Sequence, residues 1–86
     1  MSITVKGKVQ GVNYRTATRR KAEEFGVTGH VQNLRDGTVH IIATGTEMSL
    51  QALVNWCKEG PILAEVLEVI ADPLPLQEFN RFSILH

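Results

Sequence analysis

Apolar and polar side chains alternate along residues 2–9, with Ile3, Val5, Gly7 and Val9 on one side and Ser2, Thr4, Lys6 and Lys8 on the other. A period of two marks a strand with one buried and one solvated face. From about Thr16 to Phe25 the spacing becomes helical, with Ala17, Ala22 and Phe25 as the inward positions and Gly26 as the stop. Residues 28–34 and 38–44 read as two strands joined at Arg35-Asp36-Gly37, because an Asp-Gly pair suits the positive φ angles of a tight turn. In the second of these strands Ile42 interrupts the alternation, so one end of that face is expected to be covered.

The next helix is more sharply drawn. Thr46 is placed to cap it and Glu47 suits its first turn. Leu50, Leu53, Val54 and Cys57 then follow the i, i+3, i+4, i+7 stripe, and Gly60-Pro61 ends the helix. Residues 65–71 are mainly apolar and rich in β-branched side chains and predict a strand. Pro73 and Pro75 mark a loop, and Phe82 with Ile84 anchors a last short strand. The order is β-α-β-β-α-β with a small extra strand. It predicts an α+β, ferredoxin-like α/β sandwich, an antiparallel sheet of four to five strands carrying two helices on one face. Such a fold hosts many functions and names none of them.

Length and composition narrow the class. A chain of 86 residues is expected to be a single domain over residues 1–86 with one modest core. Net charge is zero, which argues against a general nucleic-acid binder. The charge is uneven, however. Residues 1–35 hold seven Lys/Arg against two acidic residues, and residues 36–86 hold two against seven. A positive field over the N-terminal third attracts a small anion without making the whole surface basic, although Arg19, Arg20 and Lys21 also fit a plain solvated helix face. One cysteine, Cys57, excludes an internal disulfide or a thiolate zinc site and reads as a small core residue. No apolar run is long enough to span a bilayer, and strand-like sequence from Ser2 leaves no room for a signal peptide. A cytoplasmic protein with no membrane contact is the expectation. Nothing in the sequence suggests an obligate oligomer, so a monomer is expected.

Candidate chemistry sits first at the strand-to-helix junction Gln10-Gly11-Val12-Asn13-Tyr14-Arg15. Successive backbone N–H groups in a tight loop, backed by a helix N-terminus, suit a phosphate. Gly11 permits close backbone approach or positive φ, and Arg15 offers a permanently charged bidentate fork. The same features also occur in ordinary loops, and no nucleotide-binding Gly-Lys-Ser/Thr or Gly-x-Gly-x-x-Gly pattern is present. The second candidate is Asn33, just before the hairpin, either a turn-flanking residue or an uncharged group able to hold a water. His30, His40 and His86 do not have ligand spacing, and no metal or cofactor is expected.

Taken together, the two places resemble a known family. Gly7-Lys8-Val9-Gln10-Gly11-Val12-Asn13-Tyr14-Arg15 is similar to the first acylphosphatase signature, G-x-V-Q-G-V-x-(F/Y)-R. Gly29-His30-Val31-Gln32-Asn33-Leu34-Arg35-Asp36-Gly37-Thr38-Val39 is similar to the second, G-x-V-x-N-x-x-D-G-x-V. Trp56, Gly60-Pro61 and the closing Phe82-x-Ile84 also look like family features. The resemblance implies hydrolysis of small-molecule acyl phosphates to a carboxylate and inorganic phosphate, without a metal. It makes Arg15 the catalytic phosphate-binding arginine, Asn33 the residue that orients the attacking water, and Gln10, Gly11, Val12, Asn13, Tyr14 and Arg15 the phosphate-binding residues. Departures from the family pattern are His30 where Trp or Tyr is frequent, His40 where Glu is common, and Leu85 where a basic residue is common.

Three rivals remain at the level of sequence. An RNA-binding domain of the same element order needs aromatic stacking residues on its central strands, and residues 2–9 and 38–44 contain none. A catalytically weak anion-binding or regulatory module would look the same apart from turnover. The third is an acylphosphatase-like module of a larger carbamoyl-phosphate-using maturation enzyme, against which the 86-residue length and the absence of further domains favour a free-standing enzyme.

Overall fold

A computed structural model describes residues 1–86. The elements are β1 (Ser2–Lys8), α1 (Tyr14–Phe25), β2 (Thr28–Asn33), β3 (Val39–Thr44), α2 (Glu47–Glu59), β4 (Glu65–Asp72) and β5 (Phe82–Leu85). They build one five-stranded sheet in the order β4-β1-β3-β2-β5. The expected antiparallel sheet is found for β4, β1, β3 and β2, whereas β5 adds parallel to β2. The parallel pairing follows from the route of the chain, because residues 73–81 carry it from one edge of the sheet to the other.

Strand register explains where the core lies. Ile3 faces Ile41, Val5 faces Val39, Val31 faces both Ile41 and Ile84, and Gly29 faces Phe82. Because side chains alternate, these residues share one face, and both helices pack on it. Helix α2 contributes Leu53, Val54 and Cys57, and α1 contributes Tyr14 and Ala22. Leu53 is fully buried, and truncating it to Ala would cost about 2–5 kcal/mol.

The first helix departs from the sequence reading. It begins at Tyr14, and its buried stripe is Tyr14, Thr18 and Ala22, while Ala17 and Phe25 are half-buried. Thr18 is hidden at little cost because its hydroxyl donates to the Tyr14 carbonyl at 2.8 Å. Gly26 closes α1 in the left-handed region as expected, its N–H reaching the Ala22 and Glu23 carbonyls. In α2 the Thr46 hydroxyl accepts from the Ser49 N–H at 3.1 Å, so the predicted cap is present.

Two glycines let strands approach closely. A Cβ on Gly29 (φ 138°) would collide with the Ile42 carbonyl, and one on Gly7 (φ 129°) with that of Glu65. Across the far end of the open face run residues 73–81. The Gln77 carbonyl accepts from the Thr44 hydroxyl, and the Phe79 ring meets His30 edge-on at 5.6 Å. Ile42, which pairs with His30 across β2 and β3, is half-buried, in keeping with the covered end expected from its apolar character.

Candidate functional site

The opposite end of the sheet gathers the carboxyl ends of β1, β2 and β5. Antiparallel pairing of β2 with β3 brings Asn33 level with Val39, and β1 enters the same end through Lys8 and Val9. Parallel pairing of β5 with β2 sets Leu85 opposite Gln32, so the chain terminus arrives there too.

The loop between β1 and α1 curls through two left-handed residues, Gly11 (φ 74°) and Asn13 (φ 68°). Asn is among the few side chains that tolerate this region, because its short polar group bonds locally. Asn13 occupies the cap position of α1, yet its side chain makes no capping hydrogen bond. The first helical backbone bond runs from Ala17 N–H to the Asn13 carbonyl. The N–H groups of Tyr14, Arg15 and Thr16 therefore have no acceptor within the helix. With the positive end of the helix dipole behind them, they suit an anion.

These groups line a cleft of about 140 Å³ formed by Val9, Gly11, Asn13, Tyr14, Arg15, Thr16 and Asn33. Of the residues expected from sequence, it brings together Gly11, Asn13, Tyr14, Arg15 and Asn33. Gln10 and Val12 are not on its wall. The Gln10 side chain turns to the hairpin and donates to the Leu34 carbonyl at 2.7 Å and the Thr38 carbonyl at 2.9 Å. Val12 packs against the core. Tyr14 offers the cleft its backbone, since its ring is buried, lies 5.5 Å from Trp56, and gives its hydroxyl to the Cys57 carbonyl at 2.7 Å. Val9 reads in the sequence as the strand end from which the loop starts, and Thr16 is not among the sequence candidates. The signal for Thr16 was its place in the first turn, one residue past the point where the loop was taken to end.

Arg15 has no carboxylate within ion-pair distance, the two salt bridges being Lys6–Glu68 and Lys21–Glu24. Its Nη1 instead donates to the Leu85 carbonyl at 3.1 Å and lies 3.5 Å from His86 Nδ1. Both contacts orient the guanidinium without cancelling its charge. The Asn33 side-chain oxygen is shielded and accepts no hydrogen bond from the protein. No protein partner therefore dictates which end of that amide faces the cleft.

Other titratable groups stand apart. His30 lies on the open face of the sheet, where burial and then the nearby His40 lower its pKa from the usual value. His40 is tied to the Ser2 hydroxyl at 3.0 Å. Burial pushes the Cys57 thiol up to about 12 and the Tyr14 hydroxyl far above its ordinary value. Neither ionises near neutral pH. No three His, Cys, Asp or Glu side chains cluster as metal ligands.

Known proteins resemble this chain over nearly its whole length. The acylphosphatase family model matches residues 1–84. An acylphosphatase of Marinobacter nauticus is 53% identical over 85 residues, covering 98% of this chain and 92% of that protein. The structure of an acylphosphatase from Coxiella burnetii superposes with a TM-score of 0.95 at 39% identity, over 98% of this chain and 88% of that one. A full-length HypF in its phosphate- and nucleotide-bound form matches with a TM-score of 0.88 and 25% identity, over 99% of this chain but 11% of its own.

Proposed function

Because the chain belongs to the acylphosphatase family and is an acylphosphatase, we propose that Arg15 and the loop through residues 10–15 bind the phosphoryl group and that Asn33 orients the attacking water. One observation carries the reading: an unpaired guanidinium, free first-turn N–H groups and an amide without protein partners line the same cleft. Gln10 serves it by pinning the loop to the hairpin, and Val12 by anchoring the loop on the core.

In this reading the three non-bridging phosphate oxygens sit on the first-turn N–H groups and Arg15, which stabilise the charge of the transition state. Asn33 holds a water in line with the bond from phosphorus to the acyl oxygen. A new P–O bond forms to that water as the bond to the acyl oxygen breaks. The acyl oxygen keeps the electron pair and departs as a carboxylate, and the water's proton passes to a phosphate oxygen. A carboxylate is stable as an anion at neutral pH, so the step calls for no general acid and, in this reading, no metal.

Benzoyl phosphate supplied with chelator tests the proposal. Arg15→Ala and Asn33→Ala should each lower kcat by roughly a hundredfold or more, with circular dichroism unchanged. Near-wild-type turnover in either variant would remove that residue's assigned role. Phosphate binding without turnover in the wild-type chain would favour a catalytically weak anion-binding module. No helix is long and apolar enough to cross a membrane, and 14 buried apolar residues form one core cluster. The one core cluster supports a single domain; in this reading the chain acts as a monomer in the cytoplasm, and light scattering on the purified protein checks the monomer.

A further inference from the structure

Thr16 and Thr18 are two residues apart on the same first turns of α1, yet their hydroxyls behave differently. Thr18 is fully buried and returns its hydroxyl to the carbonyl four residues back, at 2.8 Å. The equivalent acceptor for Thr16 would be the Val12 carbonyl, and no such bond forms. Thr16 is half-buried and lines the cleft beside Arg15. Its hydroxyl makes no hydrogen bond within the protein and is not among the shielded polar atoms, which are His30 Nδ1 and Asn33 Oδ1, so it is accessible to solvent on a residue of the cleft wall.

We infer that the Thr16 hydroxyl is a further phosphate-binding donor, contacting a phosphoryl oxygen of the substrate alongside the Thr16 N–H. The inference rests on the phosphate-binding reading of this cleft and extends it by one residue. The third residue of a helix turns its N–H toward an anion at the helix end, and the threonine oxygen is three bonds from that nitrogen. A rotamer that turns the hydroxyl toward the helix end lets both donors serve the same anion. A helix in which this position carried an aliphatic side chain would offer the N–H alone. The hydroxyl is neutral, so it adds a hydrogen bond without adding charge. It sits where the bond is made equally to substrate and to product phosphate.

The test uses backbone-amide NMR titration of the purified chain with inorganic phosphate, together with benzoyl phosphate kinetics. Thr16→Val keeps the shape and removes the hydroxyl. It should weaken phosphate binding about tenfold, the order expected for a hydrogen bond to a charged group. KM for benzoyl phosphate should rise by a similar factor while kcat changes little, the mark of binding made equally in ground and transition states. Thr16→Ser should restore wild-type affinity. Wild-type phosphate affinity in Thr16→Val, or affinity in Thr16→Ser as weak as in Thr16→Val, overturns the inference. Should Thr16→Val fold poorly by its amide spectrum, Thr16→Ala compared with Thr16→Ser makes the same distinction. A wild-type chain that binds phosphate but leaves benzoyl phosphate intact sinks the hydrolytic reading and leaves the Thr16 measurement decisive. A wild-type chain that binds no phosphate overturns both.

Discussion

The side-chain amide of Gln10 donates to the carbonyl of Leu34 at 2.7 Å and, through its second hydrogen, to that of Thr38 at 2.9 Å. Residues from opposite ends of the hairpin turn are thereby tied to the loop between β1 and α1. That loop and Asn33 belong to segments far apart in the chain, and this amide ties the loop to the residues flanking Asn33's hairpin. Gln10→Ala should lower stability by about 1–3 kcal/mol, the worth of two such bonds, and reduce kcat/KM as Asn33 drifts from the loop. Gln10→Glu should be worse, since it sets a carboxylate against two carbonyl oxygens. Urea denaturation and benzoyl phosphate kinetics check both, and an unchanged Gln10→Ala would show that packing alone sets the distance.

Tyr14 reaches 2.7 Å to the Cys57 carbonyl and joins α1 to α2. Burial raises the pKa of its hydroxyl far above the ordinary value, so it remains a donor near neutral pH. Tyr14→Phe leaves the carbonyl without that partner and should cost about 1–3 kcal/mol. Because the cleft uses only the Tyr14 backbone, kcat per folded molecule should stay near wild type. A large loss of kcat with little change in the urea midpoint would refute that division.

Arg15 is steered by the end of the chain through the Leu85 carbonyl and His86. His86→Ala removes the weaker contact and should lower kcat/KM roughly threefold, the worth of one modest hydrogen bond. Deleting residues 85 and 86 removes both contacts and should lower it further. Kinetics identical to wild type after that deletion would mean the cleft alone orients the guanidinium.

His30 has its pKa lowered by burial and by His40. The unfolded chain therefore binds a proton that the folded chain resists. Stability contributed by neutral His30 is complete above the unfolded value near 6.5 and is lost as pH falls through the lower folded value. Melting temperature should drop across that window, and His30→Gln should flatten the drop. An equally steep acid limb in His30→Gln would assign the effect to another group.

Much of the architecture was legible from local pattern. Alternation in β1, the stripe in α2 and the Asp-Gly turn each carry their own signal, because strand and helix periods are properties of neighbouring residues. The helix α1 was less legible. Its inner stripe runs through Tyr14, a residue read as loop, and Thr18, a polar residue outside the expected inward positions. A polar side chain that satisfies itself on its own helix leaves no mark in a hydrophobicity pattern. The parallel setting of β5 was hidden for a different reason. Four residues at the end of a proline-marked loop do not encode which edge they will join or in which direction.

The candidate site divides in the same way. The sequence by itself determined the candidate groups: Arg15 near the head of a helix, Gly11 able to turn the loop, and Asn33 ahead of the hairpin. Those properties follow from residue type and spacing. The tertiary structure decided which groups share one space. It turned Gln10 and Val12 away from the cleft, left Tyr14 only its backbone, brought Thr16 onto the wall, and carried Leu85 and His86 to Arg15. Such outcomes depend on where side chains meet after strands far apart in the chain have paired, and no local pattern records those meetings.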